Sequence, residues 1–199
     1  MEIHKYNLHV FCTRYNLTEH ELFNIEAQLS DNDWWIAGGA VRSLLTNQPI
    51  TTDVDFFFKN QEAYDRFKEQ AQTLNSYTVV ADTEHCLTFM AWIDEKKYKI
   101  QAIKIDFYDD VAECLDTFDF TICQLAIQGG QLYAAPYTLW DLARRRLVIH
   151  KITYGVASVR RLLKYGQQGF KACSGCLQQL LEEIADQPEL IQSNVEYVD

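Results

Sequence analysis

The sequence predicts an α+β fold, loosely α/β, in which helices cover a central sheet that is mixed or mostly antiparallel. Three observations carry that expectation. Strand-like runs near 76–82, 86–93 and 97–107 follow one another with no helix between them, so hairpins must connect them. Asn60 to Leu74 carries its apolar residues at helical spacing. The last quarter of the chain reads as helix throughout.

Composition agrees with a packed protein. The 199 residues are 48% hydrophobic, 13% aromatic and 23% charged, with 8 Gly and 3 Pro, a profile that excludes disordered and collagen-like classes. That length suits one domain with a short helical appendage. We expect a head domain over 1–150, including an N-terminal helical segment, and a neck-like helical extension over 151–199.

Taken in order, Thr18-Glu19-His20-Glu21 has capping-box form ahead of the apolar stripe Leu22, Phe23, Ile25 and Leu29, which predicts a helix from Thr18. Trp34 to Ala37 reads as a buried strand running into Gly38-Gly39. Ala40 to Thr46 then reads as a short helix, Thr52 to Phe58 as a strand and Asn60 as a helix cap. Beyond the three hairpin strands come a helix over 109–116, with Asp109 and Asp110 as its cap, and an apolar strand from Phe120 to Ile127. A turn at Gly129-Gly130 leads to a strand over 131–134. Tyr137 to Arg144, 155–170 and 173–186 are expected helices, and Val148-Ile149 a small strand. Leu177, Leu180, Leu181 and Ile184 give the last helix an apolar face expected to pack on its own chain, in a monomer or a homodimer.

No window holds the roughly 18 apolar residues of a membrane span, and the N-terminus lacks the layout of a secretion signal. A soluble, cytoplasmic protein is expected, its six cysteines reduced. Cys173-Ser174-Gly175-Cys176 is the one close pair; without further ligands nearby it reads as a helical turn and not a zinc site.

The formal charge of −10 argues against a surface that grips nucleic acid everywhere. Its distribution is uneven. Between residues 141 and 171, Arg144, Arg145, Arg146, Lys151, Arg160, Arg161, Lys164 and Lys171 face one acid, Asp141, a local balance of +7 that leaves −17 elsewhere. A polyanion such as RNA would be received there, with Arg144, Arg145, Arg146 and Arg160 as contacts; the alternative is a solvated helical face that is merely basic.

The chemistry concentrates in Gly38-Gly39-Ala40-Val41-Arg42 and the following Asp53-Val54-Asp55. Paired glycines at a strand-to-helix junction let backbone N–H groups approach an anion, and Arg42 adds a positive fork. In Asp-x-Asp on a strand both carboxylates project from one face, about 6–7 Å apart at Cα. Such hard oxygen donors suit Mg²⁺ or Mn²⁺ handling a nucleoside triphosphate.

Together these residues resemble the nucleotidyltransferases of the DNA polymerase β superfamily, and more narrowly the head domain of class II CCA-adding enzymes and bacterial poly(A) polymerases, with its G-G-x-V-R-D and D-x-D hallmark. Asp119-Phe120-Thr121-Ile122-Cys123-Gln124-Leu125-Ala126 is similar to the family's R-R-D-F-T-I-N-A motif. Ala135-Pro136-Tyr137-Thr138-Leu139-Trp140-Asp141-Leu142 resembles its D-P-F-x-G-x-x-D-L turn, and Arg160-Arg161 through Lys164-Tyr165-Gly166 its Arg-rich helix. The resemblance spans about residues 33–170. Ser43 stands where the family has Asp, Thr117-Phe118 replace its two arginines, and the family's body and tail have no counterpart in this sequence.

The resemblance implies metal-dependent transfer of a nucleoside monophosphate from an NTP, ATP or CTP favoured, to an acceptor hydroxyl, most naturally an RNA or tRNA 3′ end. Asp53 and Asp55 would hold metal, with Asp106 at the end of the strand 97–107 as third carboxylate. Gly38, Gly39, Arg42, Asp119, Arg161 and Lys164 would bind nucleotide, with Asp119 alternatively positioning a basic side chain or serving as a buried salt-bridge partner. The alternatives are transfer to a protein or small molecule, and an inactive nucleotide- or RNA-binding module.

Overall fold

The computed structural model describes residues 1–17 and 20–188. Among the described residues its backbone packs as two compact units, Met1–Asp116 with Cys123–Pro136, and Thr117–Ile122 with the residues from Tyr137 to 188. The described part of the expected neck lies in the second unit, which also takes Thr117–Ile122 and Tyr137–His150 of the expected head.

The first unit is built on eight strands: β1 (His4–Asn7), β2 (Trp34–Ala37), β3 (Val54–Phe58), β4 (Asn75–Asp82), β5 (Cys86–Ile93), β6 (Lys96–Ile103), β7 (Leu125–Gln128) and β8 (Gln131–Ala134). They form one sheet in the order β1-β8-β7-β2-β3-β6-β5-β4. Strands β3 and β6 run parallel, and every other neighbouring pair is antiparallel. The fold is therefore the mixed α+β class expected. Its helices are α1 (Leu8–Arg14), α2 (Leu22–Leu29), α3 (Gly39–Leu45), α4 (Gln61–Ala71) and α5 (Val111–Asp116).

Strand β3 alternates strictly between buried and half-buried positions. Val54, Phe56 and Phe58 face the core, where Phe67 of α4 stacks 4.7 Å from Phe56 and 5.1 Å from Phe58 and meets Trp34 edge-on at 5.5 Å. Asn60 caps α4 as its sequence suggested, its side chain accepting from Ala63 N–H at 2.9 Å. Asp110 does the same for Glu113 at the start of α5. The β7–β8 hairpin turns on Gly129 and Gly130, whose φ values of 53° and 72° belong to the left-handed turns that match strand twist.

Several expectations need correction. The sequence pattern gave no sign of β1 and α1: β1 is a mostly exposed edge strand without apolar alternation, and Asn7 caps α1 through Val10 N–H at 3.0 Å. The capping box at Thr18 lies outside the described residues. Helix α2 starts at Leu22, and Glu21 turns its carboxylate elsewhere, accepting from Ile50 N–H, Lys96 Nζ and, at 3.0 Å, Tyr98 OH. Strand β6 stops at Ile103, so Asp106 is not on it. The strand expected from Phe120 to Ile127 is broken: Phe120 makes an isolated bridge to Ile149, Thr121–Cys123 coil into a 3₁₀ turn, and only then does β7 begin.

The second unit holds α6 (Thr138–Ala143), β9 (Arg146–Leu147), α7 (Gly155–Gln167), β10 (Lys171–Ala172) and α8 (Ser174–Asp186). Strands β9 and β10 pair in parallel, and Phe120 meets Tyr165 of α7 edge-to-face at 5.6 Å. The small strand expected at Val148-Ile149 forms two residues earlier. Among the described residues no helix is long and apolar enough to cross a membrane.

Two outcomes follow from this packing. Phe58→Ala removes a fully buried ring from the α4 contact and should cost about 3–5 kcal/mol, read from the denaturant midpoint. Burial alone would raise the Glu21 carboxyl, but hydrogen bonds from Lys96, Ile50 and Tyr98 more than offset it and hold it below the usual glutamate value of 4.5. Its stabilising contribution is whole above that value and is lost as pH falls through the lowered one. Glu21→Gln should accordingly lower Tm at neutral pH and flatten the acid limb of a Tm-against-pH curve.

Candidate active site

The core face of β3 fixes what its other face carries. Asp55 lies opposite Ala37 of β2 and Gln101 of β6. Directly opposed residues share a face, and β5 and β6 pair Thr88 with Gln101 and Cys86 with Ile103. The face opposite Phe56 and Phe58 thus carries Asp55, Gln101, Thr88 and Cys86, with Asp53 one residue ahead of β3. Gln101 donates to Thr88 Oγ at 3.4 Å, and the Cys86 thiol lies 3.6 Å from the same hydroxyl. Burial pushes the Cys86 thiol up, the Thr88 hydroxyl opposes this, and the charges of Asp55 and Asp53 push it further up.

The β2–β3 pairing ends at Ala37 and Asp55, so the Gly38-Gly39 turn follows directly on the residue opposite Asp55. Gly38 ends β2 with φ 77° and ψ −125°, a conformation closed to residues bearing a Cβ, and its N–H donates to Leu125 O at 2.9 Å. That turn drives the chain directly into α3. At Gly39 the space is open, since a Cβ there would meet only Thr52 Oγ at an ordinary 3.6 Å. Packing within the chain therefore does not demand a glycine at 39.

A residue that sequence reasoning passed over, Lys99 of β6, places Nζ 3.3 Å from Asp53 Oδ1. Alternation along β6 could have found it, because Lys99 and Gln101 share a face. Arg42 departs from its expected place. It is buried in α3, with Nη1 3.1 Å from Cys123 Sγ, and is not an open fork at the glycine turn. Ser43 donates within its own helix to Gly39 O at 3.2 Å. Asp106 is exposed in the loop after β6, its Oδ1 accepting from Phe107 N–H, and does not join Asp53 and Asp55. Among the described residues no three His, Cys, Asp or Glu side chains converge on a metal position. Magnesium, however, keeps several waters and takes one or two protein carboxylates beside substrate phosphates, so the donor set of Asp53 and Asp55 fits it.

The second unit gathers the other expected residues. Asp119 is buried, its Oδ2 accepting from Ser158 Oγ and Arg161 Nη1, each at 2.9 Å, while its backbone oxygen accepts from His150 N–H at 2.7 Å. Arg161 is thereby tied to Asp119. Asp141, the acid of the segment that resembles the family's turn motif, is also buried and accepts from Thr121 Oγ at 2.8 Å; Thr138 Oγ donates to Thr121 O at 2.8 Å. Two basic residues serve this frame: Arg146 Nε lies 3.6 Å from Asp141, and Arg145 Nη1 donates to Gln168 O at 3.2 Å. Arg144 stacks on the exposed Trp140 ring at 3.9 Å, and Arg160 and Lys164 are exposed on α7.

The fold is that of the head regions of nucleotidyltransferases among solved structures. A CCA-adding enzyme in complex with CTP superposes with a TM-score of 0.70 at 18% identity, covering 97% of this chain and 49% of that one. The Thermotoga maritima CCA-adding enzyme complexed with tRNA gives 0.63 at 19% identity over 94% and 47%. The chain itself belongs to the family described as Gad2, Gabija anti-defense 2 family protein, which matches residues 2–145. The "Gabija anti-defense 2" protein of Bacillus phage SPbetaL7 is 36% identical over 95 residues, which are 48% of this chain and 22% of that relative. The chain thus spans about half the length of the superposed enzymes and a smaller share of the phage relative.

Gly38→Ala should cost about 1–3 kcal/mol, seen as a lowered Tm, whereas Gly39→Ala should leave Tm nearly unchanged, because only the first needs a left-handed backbone. Asp119→Ala strips an acceptor from two donors and should cost about 1–3 kcal/mol, read by denaturant unfolding.

Proposed function

We propose that the chain is a metal-dependent nucleotidyltransferase that joins a nucleoside monophosphate from ATP or CTP to the 3′ hydroxyl of an RNA. The observation that carries the reading is the placement of Asp53 and Asp55 on one sheet face beside the open Gly38-Gly39 turn. In this reading the backbone N–H groups of the turn hold the triphosphate and keep its α-phosphorus in line with the acceptor oxygen. Bound at Asp53 and Asp55, Mg²⁺ or Mn²⁺ would supply charge neutralisation and acidify the acceptor hydroxyl. The acceptor O–P bond forms, the bond to the β-phosphate breaks, pyrophosphate leaves, and the hydroxyl proton passes to solvent. Lys99, 3.3 Å from Asp53, supplies a positive charge on the same face. Arg144 with Trp140, Arg160 and Lys164 offer stacking and phosphate contacts to RNA.

A second reading, transfer to a hydroxyl of a protein, is supported by the family's anti-defense name, which directs attention to a bacterial defence component as target.

Incubation with each α-labelled NTP, Mg²⁺ or Mn²⁺, and small RNAs including tRNA lacking its 3′ end tests both. Label should enter RNA, and Asp53→Asn or Asp55→Asn should reduce it at least about 100-fold, as loss of several kcal/mol of charge stabilisation implies. RNA binding should weaken steeply with salt. Label on protein alone selects the second reading. Label nowhere, with every NTP and both metals, overturns the transferase.

A further inference from the structure

The Cys173-Ser174-Gly175-Cys176 segment is unused by the function above. It forms the entry to the 13-residue helix α8. Cys173 is the N-cap residue, with extended backbone (φ −81°, ψ 167°), and is exposed; Cys176, within the first turn, is buried. Both are free thiols. The entry is held in place because Lys171 and Ala172 of β10 pair with Arg146 and Leu147 of β9 immediately before it. The Cys173 sulfur folds over the first turn of α8, close enough that a Cβ on Gly175 would lie 3.8 Å from it.

The two sulfurs experience opposite surroundings. The backbone at the helix entry, Cys176 N–H first, favours the Cys173 thiolate, and with the positive charge of Arg146 it lowers the thiol against the opposing effect of burial. Cys176 is raised, by burial first, with a hydrogen bond from the Ile149 backbone partly opposing and the neighbouring Cys173 adding to the rise. Elsewhere, burial pushes Cys12 up to about 11 and Cys114 up to about 12, which leaves those thiols protonated and inert.

We propose that Cys173 and Cys176 form a thiol–disulfide exchange site, with Cys173 as the attacking sulfur, Cys176 as the resolving sulfur and a low-molecular-weight disulfide as co-substrate. The Cys173 thiolate attacks one sulfur of the disulfide RSSR, forming a mixed disulfide and expelling RS⁻. Cys176 then gives its proton to solvent and attacks the Cys173 sulfur; the Cys173–Cys176 bond forms and a second RS⁻ leaves. The two protein thiols are oxidised by two electrons and RSSR is reduced to two RSH. A monothiol in excess reverses both steps. The site lies within the second unit and does not depend on nucleotide transfer.

The test is to treat the full chain with oxidised glutathione at graded ratios to reduced glutathione and to analyse intact mass and peptides. The wild type should lose two hydrogens, with the bond mapped to Cys173–Cys176, and dithiothreitol should restore them. Cys176→Ser should retain one glutathione on Cys173, and Cys173→Ser none on Cys176. Iodoacetamide at pH 7 should alkylate Cys173 of the wild-type chain at least about tenfold faster than any other cysteine. A wild-type chain that stays reduced or carries glutathione without forming the Cys173–Cys176 bond overturns the proposal, as does faster alkylation of any other cysteine.

Discussion

The register of β3 between β2 and β6 is the constraint on which the first unit depends. Side chains of a strand alternate, so seating Val54, Phe56 and Phe58 against α4 commits Asp53 and Asp55 to the opposite face. A slip of one residue would drive carboxylates into an aromatic core and expose three large apolar side chains, a loss of many kcal/mol. Hydrophobic packing on one side thus aims the acids on the other. The same register sets Ala37 opposite Asp55, and the positive φ of the Gly38 that follows turns the chain into α3.

The second unit is organised on a different principle, around buried acids. Asp119 anchors Ser158 and Arg161 of α7, and Asp141 anchors Thr121 while drawing Arg146 toward it. Part of the positive charge that makes residues 141–171 look like a continuous RNA surface is therefore committed to holding the unit together. The outward-facing remainder is narrower, and within it Arg144 lies over the exposed Trp140 ring.

Much of this was legible in the sequence because local signals and packing agree. The diglycine turn, the Asp-x-Asp alternation, the Asn60 cap and the Gly129-Gly130 hairpin each arise from residues close together in the chain. What escaped reading depends on partners far away. Phe120 is apolar enough to propose a strand, but its partner is Ile149 in another segment, and the backbone coils before β7 starts. Arg42 looks like an anion contact until its burial against Cys123 is known, and Lys99 acquires meaning only when the parallel β3–β6 pairing places it on Asp53. Asp106 was placed on a strand that ends three residues earlier, because Lys104-Ile105 continues the alternation of polar and apolar side chains after the backbone has left the sheet.

The central claim is that Asp53 and Asp55 form the metal-dependent nucleotide site. Calorimetric titration of the full chain with ATP and CTP, with Mn²⁺ and with EDTA, measures it without assuming any acceptor. The account predicts saturable binding of at least one nucleotide that requires the divalent ion and disappears in an Asp53→Asn/Asp55→Asn variant that retains the wild-type Tm. Nucleotide binding that is indifferent to metal and survives that double substitution would contradict it.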